Sequence, residues 1–287
     1  MKRDKLIQVQ NLKTFFYTEA GTVKAVNDVS FDIHKGEVLG IVGESGSGKS
    51  VTARMILGLL SNLNIKKSGE IFFENIDLLK ENSSKIKQIR GNKISMIFQD
   101  PVSSLNPYFT VKKQMLQALE NHKKDFDKKE AEEYFINLLR DVKIEDPERV
   151  LNSYAFQLSG GMAQRVMISM AMINNPKLIL ADEPTTALDV TVQKKVLSIM
   201  KDVVSRKKMS MLLISHNLGV VREFADKIYV IYQGKILEEG STEKIFNSPG
   251  HIYTQTLLQA IPKINSSKLP SLNSEELDYL SQPKFTH

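Results

Sequence analysis

The run Gly43-Glu44-Ser45-Gly46-Ser47-Gly48-Lys49-Ser50 combines glycines, hydroxyls and one lysine in a spacing suited to holding phosphate. Glycine lets backbone N–H groups approach an anion closely, and a helix starting at the end of the run aims its positive dipole end at the same anion. Lys49 would neutralise β- and γ-phosphates, Ser50 would offer its hydroxyl to Mg²⁺, and Val51 leads into the helix. The ligand implied is a nucleoside triphosphate.

Two more stretches carry chemistry. Asp182 and Glu183 close the apolar run Lys177-Leu178-Ile179-Leu180-Ala181, at the carboxyl end of a strand, where α/β sheets bind ligands. Asp182 would hold Mg²⁺ through water, and Glu183 would polarise an attacking water. Read alone, the pair suits a helix cap better; the glycine loop supplies the independent reason for a metal nearby, and together they point to ATP or GTP hydrolysis. In Leu158-Ser159-Gly160-Gly161-Met162, Ser159 can cap a helix running from Met162 to Asn174 while the Gly160 and Gly161 amides face an anion, a second phosphate-binding end.

The elements that must position these residues read as an α/β fold. The run Glu37–Val42 precedes the loop as a strand, and a helix-compatible run follows through Leu60, the full P-loop arrangement. Similar apolar runs at Lys93–Phe98, Leu178–Ala181 and Met211–Ser215 suit strands buried on both faces of a mostly parallel sheet. From Val111 to about Ala155 strand signals vanish, while Ala131, Tyr134, Phe135, Leu138, Leu139 and Val142 repeat at helical spacing behind a cap at Asp127 with Glu130 three residues on. This predicts an inserted helical subdomain, at about residues 100–170. Ile228–Tyr232 and Lys235–Glu239 flank Gln233-Gly234 as a hairpin. One domain is expected over residues 1–262, ending in a segment at about 240–262, with 263–287 a polar and mobile tail.

Composition narrows the class. The 287 residues are 41% hydrophobic, enough for a large core. No eighteen-residue apolar window appears and no hydrophobic stretch follows the basic start, so neither a spanning helix nor a secretory signal is expected and the chain is expected in the cytoplasm. Zero cysteines exclude disulfides, thiolate zinc sites and iron–sulfur clusters within the chain. The net charge of +6 suits nucleic acid or an anionic membrane face, and the scattered lysines suit a solvated surface equally well.

Leu158-Ser159-Gly160-Gly161-Met162 closely resembles the LSGGQ signature of ABC ATPases, with Met162 in place of the commonest Gln. The resemblance implies a P-loop NTPase of the ABC ATPase type, with an antiparallel β part beside the parallel core, binding ATP and Mg²⁺. It also implies that this signature closes over the γ-phosphate held by a second ATPase subunit. Under it Gln99, at the end of the strand KISMIF, would sense Mg²⁺ and contact a membrane subunit. Asp189, in Ala187-Leu188-Asp189, would couple the two nucleotide sites, His216 would contact the γ-phosphate, and Phe16, beside Tyr17, would stack on adenine.

Longer strings look like the oligopeptide and dipeptide importer branch: Ile97-Phe98-Gln99-Asp100-Pro101 with Ser104-Leu105-Asn106-Pro107, then Asp182 to Gln193, then Ser248-Pro249-Gly250-His251-Ile252-Tyr253-Thr254 leading to Leu257, Leu258 and Pro262. The branch implies two ATPase chains, usually different, beneath two membrane permease subunits on the cytoplasmic face, with an external peptide-binding protein delivering cargo. Two departures stand out: the C-terminal cysteine cluster of many relatives is absent, and Ala163 replaces a common basic residue. Importers of nickel and other solutes share much of the pattern. A soluble ABC ATPase acting on nucleic acid fits the basic charge, but its repair type needs a long coiled coil where only 60 positions separate Gln99 from Ser159. An ATP-binding subunit without hydrolysis would lack Glu183 or His216.

Overall fold

The computed structural model describes residues 4–60, 64–185 and 189–260. The chain divides into two compact units, one of residues 1–80 and 213–287, the other of residues 81–212. Pro262 and the expected tail lie outside the described residues.

The first unit opens with β1 (Lys5–Thr18), β2 (Gly21–His34), β3 (Val38–Val42), α1 (Lys49–Ile56), β4 (Ile65–Phe73) and β5 (Ile76–Asp77). Four of these strands form an antiparallel sheet in the order β2-β1-β4-β5. Its buried face collects Ile7, Val9, Leu12, Val26, Val29, Phe31, Ile33, Ile71 and Phe73. Each such side chain taken out of water contributes roughly 1.5–3 kcal/mol. The pairing of β1 with β2 shifts register between Val9 and Leu12, where Asn11 sits at φ 47°, so the inside–outside alternation is interrupted there.

Helix α1 stops at Ile56, short of the expected Leu60, because Leu57 caps it and Gly58 at φ 60° turns the chain away. Strand β3 is bounded one residue later than expected: Glu37 instead uses its carboxylate to accept the backbone N–H of His34 at 2.6 Å.

The second unit contains α2 (Ser83–Ile89), β6 (Ile94–Ile97), α3 (Pro101–Ser104), α4 (Val111–Glu120), α5 (Lys128–Asp141), α6 (Pro147–Leu151), α7 (Gly160–Ala171), β7 (Leu178–Asp182) and α8 (Val190–Arg206). Strands β6 and β7 are parallel and buried throughout, in keeping with apolar runs that carry only Ser95 and the terminal Asp182 as polar residues. Between β6 and β7 the named elements are all helices. Asp127 caps α5 by accepting the N–H groups of Lys129 at 2.7 Å and Glu130 at 3.1 Å, and Ala131, Phe135, Leu138 and Leu139 form its buried stripe. The Tyr134 hydroxyl donates to the Ile173 carbonyl at 2.8 Å and the Ser169 hydroxyl to that of Leu138 at 3.2 Å, tying α5 to the chain around α7. Helix α7 begins two residues before the expected Met162, since Ser159 caps it directly, and ends at Ala171 with Met172 as its C-cap.

Strand β8 (Ser210–Ser215), buried along its whole length, carries the chain back to the first unit. There follow α9 (Leu218–Phe224), β9 (Lys227–Tyr232), β10 (Lys235–Ser241), α10 (Thr242–Asn247) and α11 (Ile252–Gln259). Strand β9 runs parallel to β3 and antiparallel to β10. The turn between β9 and β10 has Gln233 at φ 44° and Gly234 at φ 76°, the two left-handed residues of a type I′ hairpin. The architecture is the α/β fold expected, with parallel pairs and an antiparallel sheet.

Candidate functional site

In the first unit, β3 delivers the chain to Gly43 and α1 takes it up at Lys49, so the glycine-rich loop spans a buried strand end and a helix start. Gly48 is the N-cap of α1 at φ 99° and makes no side-chain cap hydrogen bond. A methyl group on Gly48 would overlap the carbonyl oxygen of Ala25, so this position accepts no side chain without moving backbone. Glu44, Ser45 and Gly46 are exposed, whereas Ser50 and Val51 are half-buried on the helix.

Lys49 is only 4% exposed. Its Nζ donates to the carbonyls of Gly43 at 2.8 Å and Glu44 at 2.7 Å and lies 3.4 Å from Ser47 Oγ. The cation is thus folded back into the loop that a phosphate would enter. The loop is also held from β9–β10 and α11. The Gly234 N–H donates to the Ser47 carbonyl at 3.0 Å, and the Glu44 N–H donates to the Tyr253 hydroxyl at 3.3 Å.

His216 directly follows β8 and is exposed. Asn217 behind it caps α9 by accepting the N–H groups of Gly219 at 3.0 Å and Val220 at 3.3 Å. Phe16 is half-buried on β1, opposite Val23 of β2 and Ile65 of β4, while its neighbour Tyr17 is 48% exposed. The alternation of a strand sends these two rings to opposite faces.

In the second unit, the parallel register Ile97↔Ala181 sets the ends of β6 and β7 side by side. The residues just past them therefore meet: Gln99 Nε2 donates to Glu183 Oε2 at 3.0 Å. Asp182, 3% exposed, is the last residue of β7. Glu183 is half-buried at φ 47°, an unusual conformation for a residue that precedes a proline, and one that costs of order 1–3 kcal/mol. The turn sends the Glu183 side chain toward Gln99 rather than along the strand. Asp100 caps α3, and the N–H groups of Ser103 and Val102 lower its carboxyl pKa below the ordinary carboxylate value.

Ser159 is the N-cap of α7 and accepts the Met162 N–H at 3.3 Å. Leu158 is buried beneath it, whereas Ser159 and Gly160 are exposed and Gly161 and Met162 half-exposed. Arg165 steadies this first turn: its Nε donates to the Gly161 carbonyl at 3.2 Å and its Nη1 to the Lys143 carbonyl at 2.7 Å. Desolvation lowers the pKa of that guanidinium. Asp189 is exposed and caps α8, accepting the N–H groups of Thr191 at 3.1 Å and Val192 at 3.0 Å. Ala187 and Leu188, which precede it in the expected motif, lie outside the described residues.

The geometry therefore brings together Gly43–Val51 as one loop and helix start, Gln99 with Glu183, and Leu158–Met162 as a capped helix start. Sequence reasoning missed Tyr253 and Arg165 as supports of these loops. Arg165 had a signal, its position one helical turn beyond Gly161; Tyr253 had none, being 209 positions from Glu44.

The residues present fit a nucleoside triphosphate, since a buried ammonium and an uncapped helix start are what its charge requires. Ser50, Gln99 and Asp182 carry side-chain oxygens, the donor type that Mg²⁺ takes. No group of three or more His, Cys, Asp or Glu side chains that could hold a metal exists among the described residues, and Mg²⁺ on triphosphate takes most of its oxygens from phosphate and water.

Comparison with known proteins decides the family, because the pattern of the ABC transporter family matches residues 26–186, over half of the chain. The chain belongs to the ABC transporter family. As a member it is an ATPase, binding and hydrolysing ATP. A second family pattern, the oligopeptide/dipeptide transporter C-terminal region, matches residues 237–284. Among relatives of this ABC protein, the dipeptide transport ATP-binding protein DppD of Bacillus subtilis is 46% identical over 283 residues, covering 98% of this chain and 84% of that one. The oligopeptide transport ATP-binding protein AppD of the same organism is 45% identical over 270 residues, covering 94% and 82%. The ABC cassette MJ0796, solved as a dimer in a post-hydrolysis state with ADP and Pi, superposes with a TM-score of 0.73 at 28% identity, covering 82% of this chain and 98% of that one.

Proposed function

We propose that this chain powers the import of dipeptides or oligopeptides, working as one of two ATPase subunits attached to the cytoplasmic face of a membrane transporter. The observation that carries the reading is the match of residues 237–284 to the C-terminal region of oligopeptide/dipeptide transporters, alongside the ABC pattern. No helix among the described residues is long and apolar enough to cross a membrane. In this reading the chain sits against two permease subunits, with an external peptide-binding protein delivering cargo. The second ATPase is a related chain, and nucleic acid plays no part. One ATPase domain spans residues 1–262 in this reading, its helical insertion meeting the permeases.

In this mechanism the amides of Gly43 to Ser50 cradle the phosphates, and Lys49 leaves its carbonyl partners to neutralise the β- and γ-phosphates. Val51 continues the helix start, and Phe16 stacks on the adenine. Ser50, Asp182 and Gln99 would hold Mg²⁺, which would supply neutralisation of the triphosphate's charge. Glu183 accepts a proton from the attacking water, positioned by its contact with Gln99. His216 donates to the γ-phosphate. The signature Leu158–Met162 covers the nucleotide bound by the partner ATPase, and Asp189 couples the two sites. Closure of the pair pulls the permeases, and hydrolysis releases them.

Depleting this chain from its cells should abolish uptake of a labelled dipeptide, and the wild-type chain should restore it while a Lys49→Ala chain should not. Unchanged peptide uptake after depletion, with another solute lost instead, would reassign the cargo.

A further inference from the structure

The run Ser248 to Thr254 resembles the importer branch, and the proposed ATPase cycle gives it no role, although Tyr253 within it touches the phosphate loop. Its place in the first unit is specific. The Glu238 carboxylate on β10 accepts the N–H of Gly250 at 2.6 Å and that of His251 at 3.1 Å. His251 then caps α11, its Nδ1 accepting the Tyr253 N–H at 3.1 Å. Tyr253 is thereby driven inward, 2% exposed, with its ring 4.6 Å from that of Tyr232 at the end of β9.

What the phenol reaches is the phosphate loop. The Gly43 carbonyl and the Glu44 N–H belong to one planar peptide group. Lys49 Nζ holds its carbonyl at 2.8 Å, and the Tyr253 hydroxyl holds its N–H at 3.3 Å. Burial, and then the Glu44 carboxylate, push the phenol pKa upward, so the hydroxyl stays neutral and accepts this N–H at any physiological pH.

We propose that Tyr253 is a positioning residue of the nucleotide site, through which the C-terminal segment fixes the Gly43–Glu44 peptide and hence the phosphate loop. This rests on the reading that the loop binds ATP. When Lys49 turns from the Gly43 and Glu44 carbonyls to phosphate, the peptide loses its carbonyl-side partner. The Tyr253 hydroxyl then remains to keep the loop in its phosphate-binding shape. A loop left to reorient would present fewer amides to ATP, and affinity would fall before chemistry does.

Tyr253→Phe keeps the ring against Tyr232 and removes only the hydroxyl. Measured in the assembled transporter, it should raise KM for ATP about five- to tenfold, the value of one hydrogen bond, with kcat within about twofold. Hydrogen exchange at the Glu44 amide should quicken, and Tm should stay at the wild-type value. Thr254→Val serves as control, since the Thr254 hydroxyl is buried without a partner among the described residues and its loss should leave KM unchanged. An unchanged KM in Tyr253→Phe overturns the proposal. So does a fall in kcat and Tm matching that of Tyr253→Leu, which would make the residue mere packing. If the wild-type transporter itself neither binds nor hydrolyses ATP, the nucleotide reading fails first and this inference with it; wild-type turnover beside an indifferent Tyr253→Phe sinks this inference alone.

Discussion

Replacing Glu183 by glutamine is expected to cut ATP turnover by roughly 10²–10⁴-fold while ATP stays bound, the range for losing a general base. The substitution isolates chemistry from structure. Gln99 Nε2 donates to one carboxylate oxygen of Glu183, and the amide oxygen of glutamine can accept the same hydrogen bond. Size and backbone conformation at φ 47° are kept, so neither the turn after β7 nor the contact between the ends of β6 and β7 has reason to move. What disappears is a negative charge and a site for a proton. Removing that charge also lessens repulsion of the triphosphate, so ATP should be held more tightly. Phosphate release and retention of labelled ATP on filters check the two halves. Wild-type turnover in this variant would remove Glu183 as the base.

Replacing Gly48 by alanine should have the largest effect on binding, lowering ATP affinity by about 100-fold or more, roughly 3 kcal/mol. Two costs act at once. At φ 99° the new residue sits in a region that L side chains avoid, and its methyl group would overlap the Ala25 carbonyl oxygen of β2. Neither side of that clash is a flexible side chain, so either β2 or the helix start must shift, and the amides of the loop shift with it. Gly46→Ala supplies the contrast. Its φ of 80° carries strain too, but no atom lies within 4 Å of an added methyl, so its loss should be clearly smaller. Nucleotide titration of both variants, with Tm alongside, checks the ranking; equal affinities would show that the clash with Ala25 is absorbed.

Much of this was legible in the sequence because the relevant signals are local. The P-loop is one contiguous run between a strand and a helix, and Ser159 caps α7 through its own neighbour Met162. The strands β3, β6, β7 and β8 announce themselves as short, mostly apolar runs because they are almost wholly buried. The length of β1 and β2 was not legible, since register shifts near Asn11 break the alternation that reveals a half-buried strand. Helix ends were off by a few residues where a single torsion decides, as at Gly58. Contacts distant in sequence were out of reach. Nothing in Tyr253 says that it meets Glu44, and the left-handed turn at Glu183 runs against the usual preference before a proline. The sequence names Asp189 by its motif but not by the work it visibly does as the cap of α8.

In the proposed cycle one triphosphate is gripped by two chains, a P-loop from one and Leu158–Met162 from the other. The chain has no cysteine, so Met162→Cys places a single thiol at the half-exposed start of α7. In the assembled transporter carrying Glu183→Gln to hold ATP, alkylation of that thiol should slow sharply on adding ATP and recover when ATP is washed out. A thiol that reacts equally fast with ATP bound and with ATP absent would contradict the account.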